Sequence, residues 1–204
     1  MEQNGNNVMD YTRKDATVEG VAQNMKDRIS RLGLLDEGRE HGVMFVIDER
    51  PPVGDNTAVM LHLLNEAAVK GNVPSAYFSP GELSNILVVN RLIAINTGIG
   101  IQTINDCTLS RDEWEKLDAE LPKLMGRPLY VDDTPEITLV SLKEKITGLA
   151  KEKGVRLVVV NPVDKINIHS DQESFDRQKR IDFITADLKA LAEDLGITII
   201  AVAE

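Results

Sequence analysis

Thr57 closes the stretch of this chain whose residue types and spacing suit anion chemistry. Val43-Met44-Phe45-Val46-Ile47 is an apolar run rich in strand-forming residues. Asp48-Glu49-Arg50-Pro51-Pro52-Val53-Gly54-Asp55-Asn56 follows as a turn, and Thr57-Ala58 open a helical pattern with apolar Met60, Leu63, Leu64 and Ala67. Strand, tight loop and helix form the setting of a phosphate-binding loop, where backbone N–H groups and a helix N-terminus cradle an anion. Such a loop also uses a Lys beside its last Gly to meet the β- and γ-phosphates, and a Ser or Thr to hold Mg²⁺. Here Gly54 is followed by Asp55 and Asn56, which leaves Thr57 in a recognisable role. Arg50 is the nearby cation, and its plainer reading is a solvated or salt-bridged loop residue. Asp48, Glu49 and Asp55 put negative charge where a nucleotide would bring its own. The frame of a nucleotide site is present, and most of its chemistry is not.

Other constellations are weaker. Asp132-Asp133 could coordinate a metal, but an acidic pair at a strand end followed by Thr-Pro is more often a turn or helix cap. His41, His62 and His169 lack metal-site spacing, and no His/Cys cluster accompanies them, so no metal ligands are assigned. No Ser/His/Asp arrangement can be proposed from the order of residues. The single cysteine, Cys107, excludes an intrachain disulfide, fits a reducing cytosol, and reads as an inert, half-buried thiol. Arg177, Lys179 and Arg180 form a basic cluster diluted by Asp176 and Asp182, which reads as a solvated helix face.

The elements that must position these residues follow from periodicity. Residues 1–17 are polar and read as a flexible arm. Val18, Val21, Met25, Ile29 and Leu32 fall at helical spacing and end at Gly33. Strands are expected at Val43–Ile47, Ser75–Phe78, Leu129–Val131, Arg156–Val160 and Ile197–Val202. Between them, Glu82 opens a helix carrying Leu83, Ile86, Leu87, Val89, Leu92 and Ile93. Ser110 with Glu113 reads as a capping box before Trp114, Leu117, Leu121 and Leu124. Leu139, Leu142, Ile146 and Leu149 mark a helix stopping near Gly154, and Ile181, Ile184, Leu188, Leu191 and Leu195 one ending at Gly196. The fourth strand runs into Asn161-Pro162-Val163-Asp164, and the segment from there to about Asp171 reads as polar and mobile. Alternating strands and helices indicate a parallel sheet covered on both faces, with any ligand beyond the carboxyl ends of its strands. With 204 residues, 42% hydrophobic and 27% charged, the chain suits one globular domain. No apolar run reaches the ~18–20 residues of a membrane span. A net charge of −10 opposes stand-alone nucleic-acid binding, which rests on neutralising phosphates.

With these segments placed, the chain resembles the RecA-type motor domain of the bacterial replicative helicase, the hexameric DnaB family, from Val18 to Glu204. Tyr77-Phe78-Ser79, Asn90-Arg91-Leu92, Pro128 to Pro135 and Leu188 to Leu195 carry the resemblance, in the right order. It implies a hexameric ring that hydrolyses nucleoside triphosphate and translocates on single-stranded DNA. The family's phosphate loop reads Arg-Pro-x-x-Gly-Lys-Thr. Arg50-Pro51-Pro52-Val53-Gly54 matches it, while Asp55-Asn56 stands where one Lys is expected. The resemblance makes Glu82 the counterpart of a catalytic glutamate, displaced by one position. It puts Asn161 where an Asp would hold the Mg²⁺ shell, and Glu204 where a Gln would sense the γ-phosphate. Ring-forming relatives also pack the segment before the core on a neighbour.

The expectation is an α/β domain over residues 18–204, a parallel sheet flanked by helices in a RecA-like P-loop NTPase fold, truncated after the fifth strand. Arg50, Gly54, Asp55, Asn56, Thr57, Asn161 and Glu204 would form a degenerate nucleotide site, with Glu82 beside it. The leading reading is a catalytically inactive DnaB-like protein with a binding or regulatory role in DNA replication, in the cytoplasm. No cofactor is expected on that reading. An active ATP-dependent helicase domain with an atypical loop, using ATP and Mg²⁺, is one alternative; a cation reaching the loop from another segment would favour it. A RecA-type scaffold with an unrelated partner is the other. Expected partners are a second copy or a replicative helicase-type protein, with single-stranded DNA bound weakly or not at all and no membrane.

Overall fold

The computed structural model describes residues 42–48, 56–168 and 175–203. The Val18–Leu32 stripe, the arm before it, Arg50, Gly54, Asp55 and Glu204 lie outside the described residues.

Among the described residues five strands form one sheet: β1 (Val43–Asp48), β2 (Ser75–Phe78), β3 (Leu129–Asp132), β4 (Leu157–Val160) and β5 (Thr198–Ala203). Their order is β1-β5-β4-β2-β3, and every pairing is parallel. Each strand lies within one residue of the limits expected from its apolar run. The two most uniformly apolar runs sit in the middle. Every residue of β4 and β5 is buried, because a parallel strand covered on both faces has no solvent side to serve.

The period-two alternation of side chains divides the core in two. On one face Phe78, Val158, Val160, Ile199 and Ala201 pack with Leu142 and Ile146 of one helix and Ile184 and Leu188 of another. On the other face Phe45, Ile47, Tyr77, Val159 and Ile200 pack with Met60, Leu61, Leu64, Val88 and Leu92. The helices are α1 (Asn56–Leu64), α2 (Asn85–Thr97), α3 (Ile101–Asn105), α4 (Arg111–Leu124), α5 (Leu139–Lys153) and α6 (Arg177–Leu195). α1 continues into a π-helical turn, Asn65–Lys70. Gly154 and Gly196 end α5 and α6 in the left-handed conformation, at φ 67° and 63°, where a side chain would be strained.

Several local readings hold. Ser110 and Glu113 form the capping box, and Ser110's hydroxyl and backbone N–H hold the Glu113 carboxyl below its usual range. Others need correction. The helix expected from Glu82 begins at Asn85, because Ser84 caps it, so Glu82 stands in the preceding loop. Ile86, Leu87 and Val89 lie on its exposed side, and Trp114 is 50% exposed. The described residues at the start of the segment expected to be mobile are held to the fold. Val163–Lys165 form a 3₁₀ turn, Val163 and Ile166 are buried, and Asn167 bridges to Thr138. Cys107 is exposed rather than half-buried.

Candidate functional site

The parallel topology brings the carboxyl ends of β1, β2, β4 and β5 to one edge. Thr57, in the first turn of α1, is the part of the predicted phosphate loop that the described residues carry beside Asn56. Asn161 directly follows β4, and its backbone N–H donates to the Phe78 carbonyl (2.9 Å), which fixes it against β2. The side-chain amide then reaches two hydroxyls. Asn161 Nδ2 donates to Thr57 Oγ1 at 2.9 Å and to Tyr77 Oη at 3.2 Å. Residues 104 apart in the chain thus meet at the strand ends, as the fold requires.

Asn161 is only 2% exposed, and its Oδ1 is buried with no hydrogen-bond partner among the described residues. Such an acceptor costs about 1–3 kcal/mol. The amide cannot be turned round to escape this. Oδ1 would then accept from both hydroxyls, but the two N–H donors of Nδ2 would be stranded in its place.

Glu82 stands in the loop after β2, which is held at both ends. Leu83 N–H donates to Ser79 Oγ (2.8 Å), and Asn85 N–H donates to Asp133 Oδ2 (2.9 Å). The Glu82 carboxylate lies 3.8 Å from Lys165 Nζ, with the two side chains 43% and 55% exposed. At that exposure the pair adds under about 1 kcal/mol. Asp132 and Asp133 take the turn-and-cap role. Asp132 Oδ1 accepts from Thr134 N–H (3.0 Å) and Oδ2 from Lys145 Nζ (2.5 Å). Partial burial pushes the Asp132 carboxyl up, but its bonds to Lys145 and Thr134 outweigh this and hold it below the ordinary range. Among the described residues no three His, Cys, Asp or Glu side chains converge as a metal site would require.

Sequence reasoning placed Asn56, Thr57, Ser79, Glu82 and Asn161 at this edge, and missed the parts of Tyr77 and Lys165. A tyrosine inside an otherwise apolar strand was the signal for Tyr77, since a buried hydroxyl needs a partner. A cavity of about 560 Å³ lies elsewhere, between α5 and α6, lined by Leu139, Val140, Ile168, Phe183 and Leu191. No site residue lines it.

An all-parallel sheet with helices on both faces, and a strand–loop–helix frame at its carboxyl edge, is the architecture of RecA-type ATPase domains. The chain belongs to the DnaB-like helicase C-terminal domain family, whose model matches residues 25–204. It is 27% identical over 191 residues to the replicative DNA helicase DnaB of Leifsonia xyli, covering 94% of this chain and 40% of that protein. Against the DnaB of Geobacillus stearothermophilus it is 27% identical, with 97% and 42% covered. The chain thus spans about two fifths of the length of these curated relatives. Its fold matches a solved ATPase domain at a TM-score of 0.71 and 18% identity, over 93% of this chain and 72% of that one. It also matches a DnaB-like replicative helicase solved to study its interactions with primase (TM-score 0.67, 18% identity, 93% and 48% covered). At these identities the two structures speak for the fold. No described helix is long and apolar enough to cross a membrane.

Proposed function

We propose that this chain is a DnaB-type motor domain that does not turn over nucleoside triphosphate and acts in DNA replication by binding. The observation that carries this reading is the neutral amide at the carboxyl end of β4, 2.9 Å from Thr57. The family implies a nucleotide with Mg²⁺ at this edge. The residues fit that group poorly: Asn161 offers no carboxylate to the metal shell, and Asp55-Asn56 replace the lysine that would meet the phosphates. A fixed positive charge aimed at a transferring phosphoryl group is worth about 3–4 kcal/mol, or 10²–10³ in rate, and the amide at Asn161 weakens the metal shell further. Glu82, as counterpart of a catalytic glutamate, faces Lys165 rather than standing unpaired. Its partner would be a second copy or another replicative helicase-type protein, the role for which a preserved fold without turnover suffices.

The test is a phosphate-release assay on purified protein with ATP and Mg²⁺. No release above buffer is expected. Shortening Asp55-Asn56 to a single Lys is expected to leave it silent, because Asn161 and Glu204 remain. Magnesium-dependent hydrolysis that disappears in Thr57→Ala would overturn the reading and establish an active ATPase with an atypical loop.

A further inference from the structure

We propose that Asn161 is a specificity-determining residue that sets this site against divalent cations, so that a phosphate-bearing ligand gains nothing from Mg²⁺. The inference rests on the non-hydrolysing reading above and deepens it. Its ground is the direction of two hydrogen bonds. Asn161 Nδ2 has two protons and spends them on Thr57 Oγ1 and Tyr77 Oη. Both hydroxyl oxygens are therefore acceptors toward residue 161, and each hydroxyl must send its own proton elsewhere. A carboxylate at the same place would do the reverse, taking protons from both hydroxyls and leaving Thr57 Oγ1 with lone pairs for a cation. With the amide, one Thr57 lone pair is already engaged. Its proton is left for another acceptor, and residue 161 itself brings no negative charge to a cation. Asn161 is 2% exposed and its backbone N–H is held by the Phe78 carbonyl, which fixes the start of the side chain beside both hydroxyls. What Thr57 presents to a ligand is a hydrogen-bond donor, which suits a phosphate oxygen without its metal.

Thermal unfolding midpoints, measured with ADP alone in EDTA and with ADP plus Mg²⁺, test this on the wild type and on Asn161→Asp. The wild type is expected to rise above its ligand-free midpoint by the same amount in both conditions, and no rise with ADP overturns the proposal. Asn161→Asp is expected to gain an Mg²⁺-dependent rise corresponding to at least about tenfold tighter ADP binding, the usual scale for a group that orients a metal shell. A wild-type midpoint that rises with Mg²⁺ overturns the proposal, and so does an Asn161→Asp protein indifferent to Mg²⁺. If that variant does not fold, wild-type binding of a fluorescent ADP decides alone: equal affinity with and without Mg²⁺ supports the proposal, and tenfold tightening or no binding overturns it. Phosphate release from ATP is measured in parallel. Turnover by the wild type defeats the functional reading, whereas a silent wild type with an unresponsive Asn161→Asp defeats only this inference.

Discussion

Asp132 shows how a charged residue at the carboxyl edge can be engaged wholly within the fold. Its carboxylate accepts from Lys145 Nζ and from Thr134 N–H, and these bonds lower its proton affinity in the folded state. A carboxyl with a depressed folded pKa adds stability that is full above its unfolded value, about 3.9, and is lost as pH falls through the folded value. Asp132→Asn should therefore be less stable than the wild type at pH 7, by up to about 1 kcal/mol for a pair this open to solvent. The two proteins should converge below pH 4. Urea unfolding at pH 7, 5, 4 and 3 measures this, and a gap that stays constant with pH would refute it. The sequence favoured a turn or cap over a metal for Asp132-Asp133, but could not name the partners, because Lys145 and Asn85 arrive from other elements. The resemblance could only set Asn161 where a carboxylate is expected. Its hold on Tyr77 was not legible, since that bond depends on strand register.

At the scale of elements, legibility followed periodicity. Buried strands such as β4 and stripes such as Ile181, Ile184 and Leu188 were read correctly because their patterns leave no other face to bury. The misreadings fall where a short polar residue outranks the apolar pattern. Ser84 caps α2 and so shifts its start past Glu82. Five-residue α3 went unread, being too short to show a period. Val163 and Ile166 went unread because charged Asp164-Lys165 separates them, although both belong to the core under α5 and α6. Two substitutions test this layer. Leu188→Ala removes a fully buried side chain between α6 and the sheet and should cost about 2–5 kcal/mol. Gly42→Ala puts a methyl against the Ala192 carbonyl and Glu193 Cα, backbone that cannot yield easily, and should cost about 1–3 kcal/mol. Denaturant midpoints decide both, and a Gly42→Ala protein as stable as the wild type would mean that β1 does not enter the sheet against the end of α6.

At the scale of the whole molecule the question is whether this domain can hold DNA by itself. A net charge of −10 repels a polyanion, so affinity would need a segregated basic face. The dense basic cluster of the sequence lies at the start of α6, and its cations are already engaged. Arg177 lies 3.7 Å from Asp164, Lys179 3.6 Å from Asp176, and Arg180 donates to the Ile166 carbonyl. The Arg177 and Arg180 contacts tie the helix start to the 3₁₀ turn after β4, and Lys179 pairs within the helix start itself. Breaking them to meet phosphates would release Asp164 and Asp176 beside the incoming strand, where they would repel it. The expected outcome is that a fluorescent single-stranded oligonucleotide shows no anisotropy change at micromolar protein in about 150 mM salt. Arg177→Ala should leave that result unaltered, since its cation is spent within the fold. Tight binding that weakens steeply as salt rises, with a logarithmic slope of about −0.7 for each phosphate neutralised, would show that a basic face exists among residues this sheet does not organise.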